Sequence, residues 1–256
     1  MARRMKVWCN GVSLTDAVPS AIIRGIYEDN PENDLMTGER PGQPGQWVIY
    51  NKRTQLTVRI EIVIREIFDL EARARALQAV CVWAQNGILE LSNRPDQQLN
   101  CVVIQRPALG ADRDYTQTFS IEFAAISCPY WQSRFEDIAS ITGTTGEVVF
   151  NPAGSLETPL MFTVTPSADT LTAFSATCNG ATLSFSGLDL DAGETLELCY
   201  DENALQWITA DSVSAIGNRN ANSADDIFVI PGTTNTISFT ANTACSVTFK
   251  ARGRYY

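Results

Sequence analysis

The segment 55–66, QLTVRIEIVIRE, constrains the fold more than any other part of the chain. Apolar residues occupy every second position, and the residues between them are mostly charged or hydroxyl-bearing. A side-chain period of two over this length predicts one long strand with one face in a core. The opposite face carries Thr57, Arg59 and Glu61, and it either contacts solvent or pairs with a neighbouring subunit. The residues predicted to be buried are Leu56, Val58, Ile60, Ile62 and Ile64.

The next segment, 69–87, changes to a helical period. Its spacing predicts one helix of about 17 residues that packs on the sheet, with Gly87 at the C′ position. Glu71 and Arg75 are spaced for an i,i+4 ion pair. The face predicted to be buried consists of Leu70, Ala74, Leu77, Cys81 and Ala84.

Turn residues organise the rest of the first half. Asn10-Gly11 is the dipeptide that best suits a type I′ hairpin. The stretch 28–46 holds three prolines and three glycines without periodicity, which predicts a long exposed loop. Further strands are predicted at GILELS, QLNCVVIQR and YTQTFSIEFAAIS. The first half is therefore α+β and mostly strand.

The second half shows about eight short strand patterns with turns between them and no helical pattern, which predicts a β-sandwich of jelly-roll type. Asn179-Gly180 predicts a further tight hairpin, and NTISFTA with CSVTFKARG is predicted to be the final hairpin. A Gly/Thr/Ser-rich stretch suggests the division between the halves. We predict a first domain at 1–133, a linker at 134–148 and a second domain at 149–256.

Composition argues against most enzyme classes. The chain has no histidine, which removes the commonest general base and metal ligand. Its seven cysteines are scattered singly, as is typical of buried thiols made in a reducing compartment. Residues 134–256 carry 5 Lys+Arg against 14 Asp+Glu, which disfavours a phosphate-binding surface there. No segment is apolar enough for a membrane span or signal peptide, so we expect a soluble protein without membrane insertion.

Several residues are of types that suit binding or catalysis but also fit structural roles. Asp189, Asp191 and Glu194 are more typical of a turn than of a calcium loop. Tyr200 and Trp207 are the glycan-contact candidates, with core or rim packing as the alternative. Carboxylates suited in type to glycoside hydrolysis, without a spacing that selects them, are Asp201, Glu202, Asp225 and Asp226. We therefore expect no catalytic residue, no metal site and no cofactor.

The order of these elements resembles that of the distal tail proteins of long-tailed, non-contractile bacteriophages. The resemblance covers nearly the whole chain. It rests on the hairpin at NGVSL, the strand LTVRIEIVIRE, the helix ending WAQNG and the sandwich strands that follow CPYWQ. Its sharpest points are Pro129-Tyr130-Trp131, Pro231-Gly232 followed by Asn235, and the basic-aromatic end 252–256. The stretch 28–46 departs from the family pattern.

The resemblance implies a homohexameric ring at the distal tail tip of a virion, made in the bacterial host cytoplasm. The ring would join the tail-tube protein to the tail-tip hub protein, and DNA would pass through its lumen without specific binding. The second domain would be a galectin-like sandwich that docks a receptor-binding protein or a host glycan. A carbohydrate-binding tail accessory and a cell-wall glycosidase are the alternatives. The candidate ring contacts are Arg40, Trp47, Arg53, Thr57, Arg59 and Glu61.

Overall fold

The structure is a computed structural model that describes residues 5–29, 33–39, 46–53, 55–65, 69–108, 118–125, 128–200 and 206–256. Within 33–39 and 46–53 the description covers the backbone only. The chain divides into two compact units, Met1–Trp131 and Gln132–Tyr256. Strands dominate both units, as the sequence predicts.

The first unit contains a twisted antiparallel sheet and two described helices. In chain order its elements are β1 (Val7–Cys9), β2 (Val12–Ser13), α1 (Leu14–Ala17), β3 (Ala21–Asp29), β4 (Asn33–Glu39), β5 (Gln46–Arg53), β6 (Leu56–Ile64), α2 (Leu70–Trp83), β7 (Gly87–Leu91), β8 (Gln97–Gln105) and β9 (Thr118–Ala125). The strand order across the sheet is β2-β1-β7-β8-β9-β6-β3.

Strand β6 confirms the period-two prediction residue by residue. Its alternate positions from Leu56 to Ile64 are buried, at most 3% exposed. It pairs with β3 on one side and with β9 on the other. Its apolar face is therefore part of the buried face of these three strands. The charged face lies on the other side of the sheet.

Helix α2 covers the inner face, but it is rotated from the predicted orientation. The helix ends at Trp83, and Gly87 begins β7 instead of capping the helix. Leu70, predicted to be buried, is 45% exposed. The prediction was wrong because it chose a face of apolar residues, whereas Arg73 begins the i, i+4, i+7 stripe that packs inward. The buried stripe is Arg73, Leu77, Val80 and Ala84, with Trp83 beside it.

The predicted loop at 28–46 is wrong over much of its length. β3 extends to Asp29, and β4 pairs with β5 as a separate two-stranded hairpin. Backbone hydrogen bonding forms this hairpin despite its polar, non-periodic sequence, which is why the pattern did not predict it. Residues 30–32 and 40–45 lie outside the described residues.

The predicted Asn-Gly hairpins are both present. Asn10 and Gly11 have φ of 49° and 78°, and Asn179 and Gly180 have φ of 50° and 81°. Positive φ at both central residues joins β1 to β2 with the tight turn that matches strand twist.

The second unit is a β-sandwich. Its elements in chain order are β10 (Trp131–Ser133, at the boundary), β11 (Asp137–Phe150), β12 (Thr158–Pro159), β13 (Met161–Pro166), β14 (Leu171–Cys178), β15 (Ala181–Leu190), β16 (Leu196–Tyr200), β17 (Gln206–Ala210), β18 (Val213–Ser214), a 3-10 turn (Ile216–Asn218), β19 (Phe228–Val229), β20 (Asn235–Ala251) and β21 (Arg254–Tyr255). The main strand order is β15-β14-β20-β13-β16-β17-β18, with β11 on the free side of β20.

One strand, β20, serves both halves of this sandwich. Its first part pairs with β14 and its second part with β13. The sheet thereby folds over a core in which Phe162 of β13 lies 5.2 Å, centroid to centroid, from Phe174 of β14. The predicted terminal hairpin is wrong, because both of its halves belong to this single 17-residue strand. Only a register shift in the pairing with β11, between Gly143 and Thr145, marks the middle of the strand.

The predicted linker at 134–148 is also wrong from Asp137 onward. These residues form β11, which pairs with β20 from Asp137 to Phe150. Glycine, threonine and serine indicated a linker, but backbone pairing to β20 and partial packing of Ile141 and Val148 on the core hold the segment as a strand.

Candidate assembly surface

Strand β3 is an open edge of the first unit's sheet. Within the described residues its nine-residue backbone pairs with β6 and with no other strand. A row of backbone donors and acceptors on the other side is a template for another strand. Two of its apolar side chains, Ile22 and Tyr27, are 41% and 45% exposed.

A compact side-chain group stands on the outer face of this edge. We call Gly25, Tyr27, Arg59 and Glu61 the Tyr27 cluster. The Arg59 guanidinium carbon lies 4.8 Å from the centroid of the Tyr27 ring. The Tyr27 hydroxyl donates to Glu61 Oε2 at 3.4 Å, and Arg59 lies 3.8 Å from Glu61. Partly exposed contacts of this kind contribute about 1 kcal/mol or less each. Their main effect is to fix the direction of the ring.

Glycine at position 25 makes the Tyr27 cluster possible. A Cβ there would lie 2.8 Å from Cε2 of the Tyr27 ring, which is closer than such atoms approach. The ring therefore lies back over the glycine. An aromatic side chain that covers an edge glycine in this way helps to fix strand register.

The predicted ring contacts fall into three groups. Thr57, Arg59 and Glu61 lie together on the outer face of β6, and two of them belong to the Tyr27 cluster. Trp47 and Arg53 lie in β5, where only the backbone is described. Arg40 lies outside the described residues. Their roles as contacts stay predictions.

A groove of about 770 Å³ lies beside the first residues of β3. Lys6 and Arg65 contribute the charged groups of its lining, while Met5, Pro19 and Ile22 supply apolar surface. None of its described lining residues is acidic. The groove therefore favours a segment that is apolar and negatively charged.

The other end of β3 is anchored by a polar contact that the sequence did not predict. Glu28 accepts hydrogen bonds from Arg94 at 2.8 Å and from the fully buried Trp131 indole at 3.0 Å. The Arg94 guanidinium also lies 5.0 Å from the Trp131 ring centroid. Trp131, singled out only as part of a Pro-Tyr-Trp motif, thus holds the edge strand in place.

The glycan candidates in the second unit have different surroundings. Tyr200 donates to Asp226 Oδ1 at 2.6 Å and accepts from Gln206. Burial, reinforced by the hydrogen bond to Asp226 and its charge, raises the pKa of Tyr200. Trp207, by contrast, is 54% exposed. Of the two, Trp207 presents the larger free surface.

The carboxylates considered for hydrolysis have structural partners where they are described. Asp225 forms an ion pair with Arg219 at 2.7 Å, and Asp226 binds Tyr200. Asp201 and Glu202 lie outside the described residues. Asp189 lies at the end of β15, and the turn follows it: Glu194 accepts from the Asp191 amide, and Gly193 has φ 93°.

The described residues contain neither a candidate metal site nor a candidate membrane span. No group of three or more His, Cys, Asp or Glu side chains there has an arrangement that could hold a metal ion. Nor does any described helix have the length and apolar character to cross a membrane.

Comparison with known proteins gives a match in structure alone. No family model matches the sequence, and no curated protein matches it. The crystal structure of the Dit protein of phage SPP1 matches with a TM-score of 0.70 and 11% identity, over 97% of this chain and 98% of that chain. The chain has the Dit fold. SPP1 Dit is described as a paradigm of the hub adsorption apparatus in phages that infect Gram-positive bacteria.

Two more distant matches are chains of the phage P2 baseplate in its activated conformation. The calcium form matches with a TM-score of 0.45 and 9% identity, over 99% of this chain and 98% of that chain. The strontium form matches with a TM-score of 0.46 and 10% identity, over 98% of each chain. The Dit fold is thus assigned from the SPP1 match.

Proposed function

We propose that this chain is a structural virion protein that forms a hexameric ring at the distal end of a non-contractile phage tail. The ring joins the tail tube to the tail-tip hub and serves as a platform for the adsorption apparatus. The observation that carries the proposal is the Dit fold, matched over 97% of the chain. Because the identity is 11%, the fold supports the role but does not identify the residues that form contacts between subunits.

The open edge of β3 supports assembly through the first unit. A nine-residue edge with two exposed apolar side chains is a site where another strand can pair. The β4–β5 hairpin comes next in the sequence and offers a second pair of strands that another copy can contact. Head-to-tail contacts that repeat around a rotation axis close into a ring.

The partners that we propose are further copies of the chain, the tail-tube protein and the tail-tip hub protein. The chain's net charge of −10 is consistent with a lumen that DNA passes without sticking, because like charges repel. The second unit, which is the more acidic half, is the part we propose to dock a receptor-binding protein.

Mass photometry and negative-stain microscopy of the purified protein test the proposal. We expect a species of six times the 28.1 kDa chain mass and six-fold ring images. The tube and hub proteins are added in a second series, since a partner can be needed to close the ring. A protein that stays monomeric both alone and with these partners contradicts the proposed function.

A second candidate function is recognition of a host glycan through Trp207. The favouring observation is its 54% exposure on β17, since exposed tryptophans stack on sugar rings. A glycan array with the wild-type protein and Trp207→Ala tests this role. Binding that is lost in the variant supports it, and a wild-type protein that binds no glycan on the array removes it.

A further inference from the structure

The guanidinium of Arg73 is buried without a hydrogen-bond partner. The residue is 1% exposed, and none of Nε, Nη1 and Nη2 has a partner in the described structure. The guanidinium stacks on the ring of Phe119, whose centroid lies 5.3 Å from the guanidinium carbon. Arginine is always charged in proteins, so a positive charge is buried here without a hydrogen-bond partner among the described residues.

Such a group is costly in an isolated molecule. A buried guanidinium normally forms several charge-assisted hydrogen bonds, and removing its partners is strongly destabilising. The stacking on Phe119 offsets only part of the lost hydration. The isolated chain therefore carries a cost at Arg73 that a carboxylate partner would remove.

The position of Arg73 shows where such a partner must approach. Arg73 lies in the first turns of α2, a helix of 14 residues, and helical side chains lean toward the helix N-terminus. The guanidinium is thus directed toward the end of the helix that carries positive partial charge. Asp69 forms no hydrogen bond with the guanidinium; its carboxylate instead accepts from the Glu71 amide at 2.9 Å.

One apolar side chain next to Arg73 is exposed. Leu70 lies three residues before Arg73 on the same helix face and is 45% exposed. An apolar side chain exposed next to a buried cation forms a surface suited to an apolar segment that carries a carboxylate. A shift of the first turn of α2 would bring that carboxylate to Arg73.

We propose that a second copy of this chain supplies a carboxylate to Arg73 when the ring forms. The inference rests on the proposed ring and deepens it. Every copy carries the same unpaired guanidinium. A contact that repeats around the ring therefore supplies a carboxylate to each copy and removes the cost of burying its charge. The chain also offers a surplus of carboxylates, with 29 Asp+Glu against 19 Lys+Arg. Arg73 is then a switch residue that favours the assembled state over the monomer.

The test compares Arg73→Met with Arg75→Met. Methionine keeps the length of the apolar stem and removes the charge, and Arg75 is an exposed residue of the same helix. Thermal unfolding is measured at a concentration where the wild-type protein is monomeric, and self-association by sedimentation velocity. We expect Arg73→Met to raise the monomer's Tm by about 3 °C or more and to weaken association at least about tenfold. Arg75→Met should change neither by a comparable amount.

The outcomes separate this inference from the ring itself. A lower Tm or failure to fold for Arg73→Met shows that the guanidinium already has a stabilising partner, which overturns the inference. A higher Tm with unchanged association overturns the role of the second copy and leaves the ring intact. A wild-type protein that never associates contradicts both. If sodium acetate raises the Tm of wild type and not of Arg73→Met, a free carboxylate is the occupant and the proposal is wrong.

Discussion

Tyr27 and Arg59 face each other across neighbouring strands β3 and β6, with the guanidinium carbon 4.8 Å from the ring centroid. The pair joins an edge strand to the most regular strand of the sheet. Because Tyr27 is on the edge and Arg59 is one strand inward, a partner that pairs with β3 meets a ring whose direction is already fixed. Less side-chain entropy is then lost on association.

Gly25→Ala should change the direction of the Tyr27 ring with little effect on the stability of the monomer. The new Cβ displaces the exposed Tyr27 ring, so we expect the free energy of unfolding to fall by no more than about 1 kcal/mol. Self-association should weaken by at least about fivefold, since the ring loses its fixed direction. Denaturant unfolding and sedimentation velocity measure the two effects. Tyr27→Phe is the control: it keeps the ring and loses only the 3.4 Å hydrogen bond, and it should behave as wild type.

Ile22→Lys tests whether β3 is the edge that pairs. A lysine on an edge strand blocks pairing with another chain at little cost to the monomer. We expect the free energy of unfolding to change by about 0.5 kcal/mol or less and self-association to fall at least about tenfold. The matched control is Ile104→Lys on the interior strand β8, where the side chain is 48% exposed. Equal association of the two variants would show that another surface forms the contacts.

Asn235→Ala should unfold the sandwich far more readily. The side chain is fully buried; its amide group donates to the carbonyls of Phe150, Ile230 and Thr233. Its carbonyl oxygen accepts from the Ile230 amide and from Asn179. Truncation leaves these groups unpaired, and we expect a loss of about 2–4 kcal/mol in denaturant unfolding.

The control for Asn235→Ala is Thr236→Ala, at the exposed position next to it. It should cost less than about 1 kcal/mol. Similar losses for the two variants would contradict a structural role for the Asn235 side chain.

Thiol labelling should distinguish the cysteines by burial. Burial raises the pKa of Cys101 to about 12 and also raises the pKa of Cys9, Cys178 and Cys245. At pH 8 these groups stay protonated and unreactive in the folded protein. We expect iodoacetamide to label the half-buried Cys81 and Cys199 at least about tenfold faster, as measured by peptide mass spectrometry. Rapid labelling of Cys101 in the folded protein would contradict its buried environment.

Local chemistry is what the sequence predicts well in this chain. The alternation in β6 and the two Asn-Gly turns depend on neighbouring residues, and the structure confirms both. The β4–β5 hairpin and β11 were missed because their strand form depends on pairing with distant or polar partners.

The candidate site shows the same division. Thr57, Arg59 and Glu61 were placed on one face from their spacing alone. The contact between Glu28 and Trp131 joins residues 103 apart, and no local pattern predicts it. Arg73 was missed because hydropathy counts arginine as a surface residue, whereas its helix position places it inside.

The double pairing of β20 has a kinetic consequence. Its contacts join Ser140 to Thr248, 108 residues apart, and Ser175 to Thr240, 65 residues apart. Large loops must close before these contacts form, so the sandwich should fold slowly and in a single cooperative step. Until then β13 and β14 each keep an unpaired backbone edge, the one that β20 occupies in the folded protein. Until β20 docks, these edges are exposed to proteases and to aggregation. The rate at which β20 docks should therefore control the yield of folded protein.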